Sequence, residues 1–182
     1  MNRLKQHYFE IAVPELQKSL GRTNRLAVPR LMKATMNVGL GKSITDSSLT
    51  EHVQQTLRRI SGQQPVLTRA KKSISNFKIR KNMVVGAKVT LRGNRMYEFL
   101  EKLIHVALPR VRDFRGLPDS AVDQNGNLSI GITEHVVFPE IKSDEVEKVH
   151  GLEVSIVSTA RNREEGKKLY RALGFPFRSS NS

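Results

Sequence analysis

Hydrophobic residues recur along this chain at two different spacings, and these spacings predict an interleaving of helices and strands. Near the N-terminus the spacing is helical, which predicts a first helix that Pro14 weakens but does not forbid. The apolar residues of this helix are Leu4, Tyr8, Ile11 and Leu16. Farther along the chain, apolar and polar residues alternate in short runs, a pattern typical of strands with one buried face.

Two of the alternating runs carry a polar face rich in hydrogen-bonding side chains. The first run is predicted to bury Met32, Ala34, Met36 and Val38 and to leave Leu31, Lys33, Thr35 and Asn37 on the other face. The second is predicted to bury Ala87, Val89 and Leu91 and to expose Lys88, Thr90 and Arg92. Both strands therefore present the same polar chemistry on one side.

The remaining elements follow from capping, periodicity and turn residues. Ser48 and Glu51 have capping-box spacing, and Val53, Leu57 and Ile60 continue a helical stripe as far as Gly62. Further strands are predicted at 65–68, 127–132 and 152–159, and further helices from Asn94 to about Pro109 and from about Asn162 to Gly174. We predict one α+β domain over residues 1–182: two layers, a mainly antiparallel sheet with helices on one face, and an extended loop at about 69–85.

Charge is the feature that changes this picture most. The chain of 182 residues carries 31 Lys and Arg against 17 Asp and Glu, a formal net charge of +14. No acidic residue occurs between Glu51 and Glu98, whereas the segment 134–165 is acidic on balance. Such an excess of positive charge repels itself unless an anionic partner neutralises it, so one side of the molecule is expected to bind an anion.

Other features limit the class of protein. With no cysteine, the chain has no disulfide, thiolate metal site or cysteine nucleophile, and it fits a reducing compartment, the cytoplasm or an organelle matrix. No apolar run approaches the roughly 20 residues that a membrane span needs, and the N-terminus has no apolar signal core. The expected anion is therefore nucleic acid and not a membrane surface.

A glycine-rich segment, 37–43, resembles the end of a phosphate-binding loop. Gly41, Lys42 and Ser43 match the last residues of that motif, but its first glycine would stand at Met36. A dinucleotide fingerprint also fails, because Ile44 occupies the third glycine position. We interpret the segment as a glycine turn at which a strand ends.

Histidines and carboxylates give no case for an enzyme, a cofactor or a metal. The histidines are His7, His52, His105, His135 and His150. Of these, His105 has a partner at helical spacing, Glu101, and no third ligand is near it in sequence. Asp113, Asp119 and Asp123 lack the spacing of a calcium loop. We predict neither catalysis nor a bound ion.

The basic stretch 68–86 has the composition of a nucleic-acid contact. Lys and Arg neutralise phosphates, Ser and Asn form hydrogen bonds with sugars or base edges, and Phe stacks on unpaired bases. The candidate residues are Arg69, Lys71, Lys72, Ser73, Ser75, Asn76, Phe77, Lys78, Arg80 and Lys81. The alternative is a solvated loop whose Phe77 folds back into the core.

Motifs in a fixed order over nearly the whole chain identify it as resembling the 5S ribosomal RNA-binding family, the bacterial-type large-subunit ribosomal protein number five. They include NVGLG at 37–41, ISGQQP at 60–65, TRAKKSISNFKIR at 68–80, KVTLRG at 88–93, LPRVRDFRG at 108–116, FPEI at 138–141 and GFPFR at 174–178. The resemblance implies a structural protein of the large ribosomal subunit, in the cytoplasm or an organelle.

By this resemblance, the sheet face contacts 5S rRNA in the central protuberance through positions matching Lys33, Asn37, Gln63 and Thr90, and we add Arg92 from the polar face of its strand. The basic loop reaches toward transfer RNA in the peptidyl site. Other implied partners are 23S rRNA, neighbouring large-subunit proteins and a small-subunit head protein across a subunit bridge, for which 113–116 is a candidate segment. No homo-oligomer is expected.

Some positions depart from the family pattern. Residues 83–86 lack a proline that often precedes the glycine, Tyr97 replaces a common tryptophan, and the runs 123–127 and 133–135 have lost basic residues. These last two changes weaken the case for RNA or bridge contacts there without altering the 5S rRNA set. An extraribosomal RNA-binding or assembly protein of the same fold is the alternative function.

Overall fold

The computed structural model describes residues 2–41, 47–142 and 148–178. Within them the α-helices are α1 (Arg3–His7), α2 (Val13–Leu20), α3 (Ser47–Ser61), α4 (Gly93–Lys102) and α5 (Arg163–Ala172). The strands are β1 (Leu31–Gly39), β2 (Val66–Arg69), β3 (Val84–Leu91), β4 (Leu128–Ile132) and β5 (Leu152–Ser158). No helix in these ranges is long and apolar enough to cross a bilayer.

The strands form one open antiparallel sheet in the order β2-β3-β1-β5-β4, which confirms the predicted α+β class. Contacts between Cα atoms divide the chain into two compact units. Unit one comprises Met1–Ala34, Leu91–Ile130 and Val154–Ser182, and unit two comprises Thr35–Thr90 and Gly131–Glu153. A single domain over 1–182 stays a prediction.

The N-terminal helical segment of unit one shows where simple periodicity fails. Leu4, Tyr8 and Leu16 are buried as predicted, but Ile11 is 54% exposed, and Ala12 and Val13 are buried instead. Between α1 and α2 the chain forms a π-helix, Tyr8–Ala12. Because a π-turn holds an extra residue, it shifts the buried stripe along the chain. Pro14 then falls in the first turn of α2, directly after the π-helix.

The two strands with predicted polar faces keep their alternation with one correction. In β1, Ala34, Met36 and Val38 are buried, but Leu31 is buried and Met32 is 42% exposed, the reverse of the prediction. Leu31 and Met32 both line a groove with Tyr8 and Phe9. In β3, Ala87, Val89 and Leu91 are buried and Lys88 is exposed, as predicted, whereas Thr90, predicted to be exposed, is half-buried.

The other predicted helices are confirmed with changes at their ends, and α4 is followed by a π-helix, Leu103–Ala107, and a 3₁₀ turn, Leu108–Arg110. The apolar stripe of α3 is buried as predicted, and Gly62 follows the helix at φ 64°. The helix begins at Ser47, so Ser48 lies inside its first turn. Asn162 does cap α5, because its side chain accepts a hydrogen bond from Glu165 N–H at 2.9 Å.

A contact between two glycines brings α5 against the turn before β4 in unit one. A Cβ atom on Gly166 would lie 2.6 Å from the Cα atom of Gly126 and 2.8 Å from its carbonyl oxygen. Tyr170, one turn along α5, is buried, and its hydroxyl lies 3.1 Å from the carbonyl oxygens of Gly126 and Ile156. Burial raises the pKa of this phenol. The close approach therefore helps to seat the hydroxyl among its backbone partners.

We expect Gly166→Ala to lower the free energy of unfolding by about 1–3 kcal/mol, because the added methyl group collides with backbone atoms that have little room to move. This loss exceeds the gain of up to about 1 kcal/mol in helix propensity. Gly131→Ala is the control, since a Cβ atom there meets nothing within 4 Å, and it should be neutral or stabilising. Urea unfolding curves measure both, and equal stability of the two variants would contradict the packing argument.

Candidate RNA-binding surface

The predicted basic loop is the connection of a β-hairpin in unit two. β2 and β3 pair antiparallel, with Val66 opposite Lys88 and Thr68 opposite Gly86, and the register shifts between Thr68 and Arg69. Such an irregularity bends and twists the hairpin where the ladder ends. The loop 70–83 therefore leaves the sheet from a defined pair of strands.

Backbone hydrogen bonds continue beyond the strands into this loop. At its base, Ala70 N–H donates to the Met83 carbonyl at 2.8 Å, and Asn82 N–H donates to the Ala70 carbonyl at 2.9 Å. Farther out, Ile74 and Ile79 exchange two hydrogen bonds of 2.9 and 3.1 Å. The loop thus forms a narrow extension of the hairpin and satisfies many of its own backbone groups.

The tip of the loop displays an aromatic ring. Ser75–Phe77 form a single 3₁₀ turn, which Lys78 ends in the left-handed conformation at φ 54°. The Phe77 side chain is 72% exposed, so the alternative in which it folds back into the core is wrong. An exposed aromatic ring on a cationic tip is suited to stacking on an unpaired base.

The basic side chains of the loop all face solvent. Those of Arg69, Lys71, Lys72, Lys78, Arg80 and Lys81 are exposed or partly exposed, and Ser75 and Asn76 are exposed with them. Ser73 differs from its predicted role, because its Oγ accepts a hydrogen bond from Lys81 N–H at 3.0 Å and so helps to close the loop. Its hydroxyl proton remains available for a further acceptor.

A second group of predicted residues lies on the strands of unit two. Asn37 is exposed on β1, where buried Met36 and Val38 flank it. Gln63 follows α3, and its backbone N–H donates to Ser61 Oγ at 3.1 Å. Its side-chain Nε2 donates to the Thr90 carbonyl on β3 at 3.3 Å. Two residues that are 27 positions apart in sequence are thereby joined directly.

The remaining predicted residues of this group, Lys33 and Arg92, belong to unit one. Lys33 is half-buried in the first part of β1, before buried Ala34. Arg92 is exposed immediately after β3, and it precedes α4 without capping that helix through its side chain. Each adds a cation to the unit that contains it.

The glycine-rich segment after β1 fits the predicted turn. Gly41 has φ 50°, a conformation that glycine adopts without strain. Lys42 and Ser43, the other residues compared with a phosphate-binding loop, lie outside the described residues.

A cluster that the sequence did not reveal brings together His52, His135 and His150 in unit two. One ring nitrogen of each lies within 4.8 Å of those of the other two. Burial lowers the pKa of His135, and burial together with repulsion from His135 lowers the pKa of His150 to about 4. The three histidines lie far apart in sequence, so a search for ligand pairs at helical spacing does not detect the cluster.

Comparison with known proteins covers nearly the whole chain. A family model described as "Ribosomal protein L5" matches residues 24–80, and a model for the C-terminus of the same ribosomal family matches residues 84–177. Proteins named "Large ribosomal subunit protein uL5" are similar along their full length. The one from Nitrosococcus oceani is 47% identical over 98% of this chain and 99% of its own, and that from Anaeromyxobacter sp. strain K is 50% identical over 97% and 98%. A third, from Halothermothrix orenii, is 51% identical over 97% and 99%.

The exposure of Phe77 gives a prediction about stability. Phe77→Ala should leave the free energy of unfolding within about 0.5 kcal/mol of the starting value, because most of the Phe77 side chain is already exposed to solvent. Phe175→Ala, the same change at a buried ring, should cost about 3–5 kcal/mol. Denaturant titration measures both, and a loss above about 1.5 kcal/mol for Phe77→Ala would mean that the ring packs against the protein.

Proposed function

The chain belongs to the ribosomal protein L5 family, and from that premise we propose that it anchors 5S rRNA in the central protuberance of the large ribosomal subunit. As a member of this family it is a structural constituent of the ribosome and not an enzyme. Its partners are ribosomal RNA and ribosomal proteins. The finer assignments that follow are proposals about which RNA each surface binds.

The 5S rRNA contact is assigned to the polar residues of the strands and to Gln63. The observation that supports it best is the hydrogen bond from Gln63 Nε2 to the Thr90 carbonyl, because it holds an amide in place beside a strand. One N–H of that amide and its oxygen remain available to RNA. Asn37 offers an exposed amide of the same kind. Lys33 and Arg92 supply charge for the phosphates.

The loop 69–85 is assigned to transfer RNA in the peptidyl site. Its exposed lysines and arginines, the exposed Phe77 ring and the absence of acidic residues between Glu51 and Glu98 support contact with a phosphate backbone. The backbone hydrogen bonds inside the loop support a long reach, because a hairpin extension retains its direction better than an unpaired chain. Mechanism here means positioning of RNA and not chemistry.

Contacts with 23S rRNA, with neighbouring proteins and with a small-subunit head protein complete the proposal. The segment 113–116 is our candidate for packing or for the subunit bridge. Asp113 has φ 52°, and the Gly116 carbonyl accepts a hydrogen bond from Arg178 Nε at 3.1 Å, so the segment has a defined shape. The protein works within the ribosome, which we place in the cytoplasm.

Removing one polar group from the strands should weaken 5S rRNA binding. We expect Asn37→Ala, or Thr90→Val, which deletes a hydroxyl and keeps the branched shape, to cost about 1–3 kcal/mol, because each leaves an RNA group unpaired in the interface. A gel-shift titration with 5S rRNA at near-physiological salt, with excess transfer RNA as competitor, measures the change.

Asn125→Ala is the matched control for Asn37→Ala. Asn125 is also exposed, but it lies in a turn of unit one far from the assigned residues in sequence. It should bind 5S rRNA as tightly as the unchanged protein. Unaltered affinity in both strand variants would refute the assignment of this face.

Neutralising the loop should separate the two proposed RNA contacts. Replacing Lys71, Lys72, Lys78 and Lys81 by glutamine should leave 5S rRNA affinity within about threefold, since those residues are not part of the strand set and phosphate contacts act locally. It should weaken retention of peptidyl-site transfer RNA on reconstituted ribosomes, because phosphate contacts are lost. Filter binding at several salt concentrations should also show a shallower salt dependence for the variant.

A control with the same change in charge takes one lysine from each of four helices of unit one. It replaces Lys5, Lys18, Lys102 and Lys168 by glutamine. Transfer RNA should be retained normally on ribosomes that carry this control. Equal loss of both RNAs in the loop variant would place the loop in the 5S rRNA site.

If the unchanged protein failed to sediment with large subunits through a salt wash, the function would be extraribosomal RNA binding or assembly.

A further inference from the structure

Three buried ring nitrogens in unit two have no hydrogen-bond partner, and they belong to the histidine cluster. They are the Nε2 atoms of His52, His135 and His150. A buried polar atom without a partner costs free energy, so a single case already calls for an explanation. Three such atoms of one chemical kind, all within one cluster, indicate a shared ligand.

The arrangement of the rings makes the cluster compact. His135 and His150 are stacked, with ring centroids 4.0 Å apart and planes 7° apart. His52 stands edge-on to both, at centroid distances of 5.7 and 5.9 Å. Three separate segments therefore supply one imidazole each: helix α3, the 3₁₀ turn His135–Val137, and the residue two positions before β5.

The backbone holds two of these rings side by side. His135 N–H donates to the His150 carbonyl at 3.1 Å, so the two residues are paired directly. The neighbouring Gly151 lies close to the preceding strand, since a Cβ atom there would stand 3.1 Å from the Ile132 carbonyl oxygen. The fold therefore determines the separation of two rings before any ligand arrives.

In two of the rings, contacts at Nδ1 bear on which nitrogen carries the proton. His150 Nδ1 lies 3.2 Å from the Gly151 carbonyl oxygen, which accepts its proton and leaves the Nε2 lone pair free. His135 Nδ1 lies 3.2 Å from both the carbonyl oxygen and the amide nitrogen of His150, so it can donate to the first or accept from the second. Donation to the carbonyl frees His135 Nε2, and a metal ion selects that tautomer.

We propose that His52, His135 and His150 bind one Zn²⁺ ion through their Nε2 atoms. Three imidazoles and a water molecule form a common four-coordinate zinc site, and zinc imposes little geometric preference of its own. With Zn–N bonds of about 2.0–2.1 Å, tetrahedral ligand atoms lie roughly 3.3 Å apart. One ring nitrogen of each histidine already lies within 4.8 Å of those of the other two. Because the planes of His135 and His150 are nearly parallel, one of these two rings has to turn about its side-chain bonds before both Nε2 lone pairs point at the same ion.

The ion would link three segments of unit two that are distant in sequence. Helix α3 contributes His52, while His135 and His150 lie near the two ends of the connection between β4 and β5. A metal bound to the folded chain and not to the unfolded one stabilises it by mass action. Zinc would therefore stabilise the packing of these three segments.

The test uses the purified full chain, stripped with a chelator and titrated with Zn²⁺. We expect calorimetry to show one saturable site per chain and thermal unfolding to show a higher Tm with zinc. His52→Gln and His150→Asn should each weaken zinc binding by at least about 100-fold and abolish the rise in Tm, since each removes a direct ligand. His105→Gln, the same change at an exposed histidine outside the cluster, should bind zinc normally.

A second measurement needs no variant and so does not depend on how the substituted chains fold. With ¹⁵N-labelled histidine, NMR spectra should show the Nε2 signals of three histidines move to metal-bound positions on addition of zinc. The signals of His7 and His105 should stay unchanged. Absence of saturable binding, or zinc that binds without moving the three Nε2 signals, would overturn the proposal.

Discussion

The close approach of β3 to β1 at Gly86 is the constraint on which the candidate RNA-binding surface depends. Gly86, opposite Thr68 of β2, lies so near the next strand that a Cβ atom would stand 2.6 Å from the Val38 carbonyl oxygen. A side chain at that position would push β3 away from β1. Since β3 carries both Thr90 and the return of the basic loop, its displacement would disturb both proposed RNA contacts.

The alternating and helical spacings of apolar residues predicted most strands and helices, because an element that buries one face needs apolar residues at those spacings. They failed where local backbone geometry departs from the regular forms. The π-turn Tyr8–Ala12 moved burial from Ile11 to Ala12 and Val13, and no residue type announces such a turn. Alternation also misplaced Leu31 and Met32, since Leu31 is buried and Met32 is exposed in a groove that both residues line.

The candidate site was predicted unevenly for a related reason. Asn37 and Thr90 follow from strand alternation, whereas Gln63 followed from family resemblance alone, because its place depends on a hydrogen bond to the Thr90 carbonyl. The histidine cluster was missed altogether. His52 and His135 are joined by tertiary packing, and a spacing rule along one helix cannot detect ligands from separate segments.

The structure of the basic loop explains how so many like charges are held together. Side chains of one sign within a Debye length of roughly 10 Å repel each other, and this segment has no acidic residue to balance them. Backbone hydrogen bonds, such as those between Ile74 and Ile79, oppose the repulsion without neutralising the charge. The positive potential therefore remains available to an external anion, and less ordering entropy is lost when that anion binds. By contrast, Gln63 and Asn37 offer directional hydrogen bonds, so the loop should supply salt-dependent affinity and the strands should supply recognition.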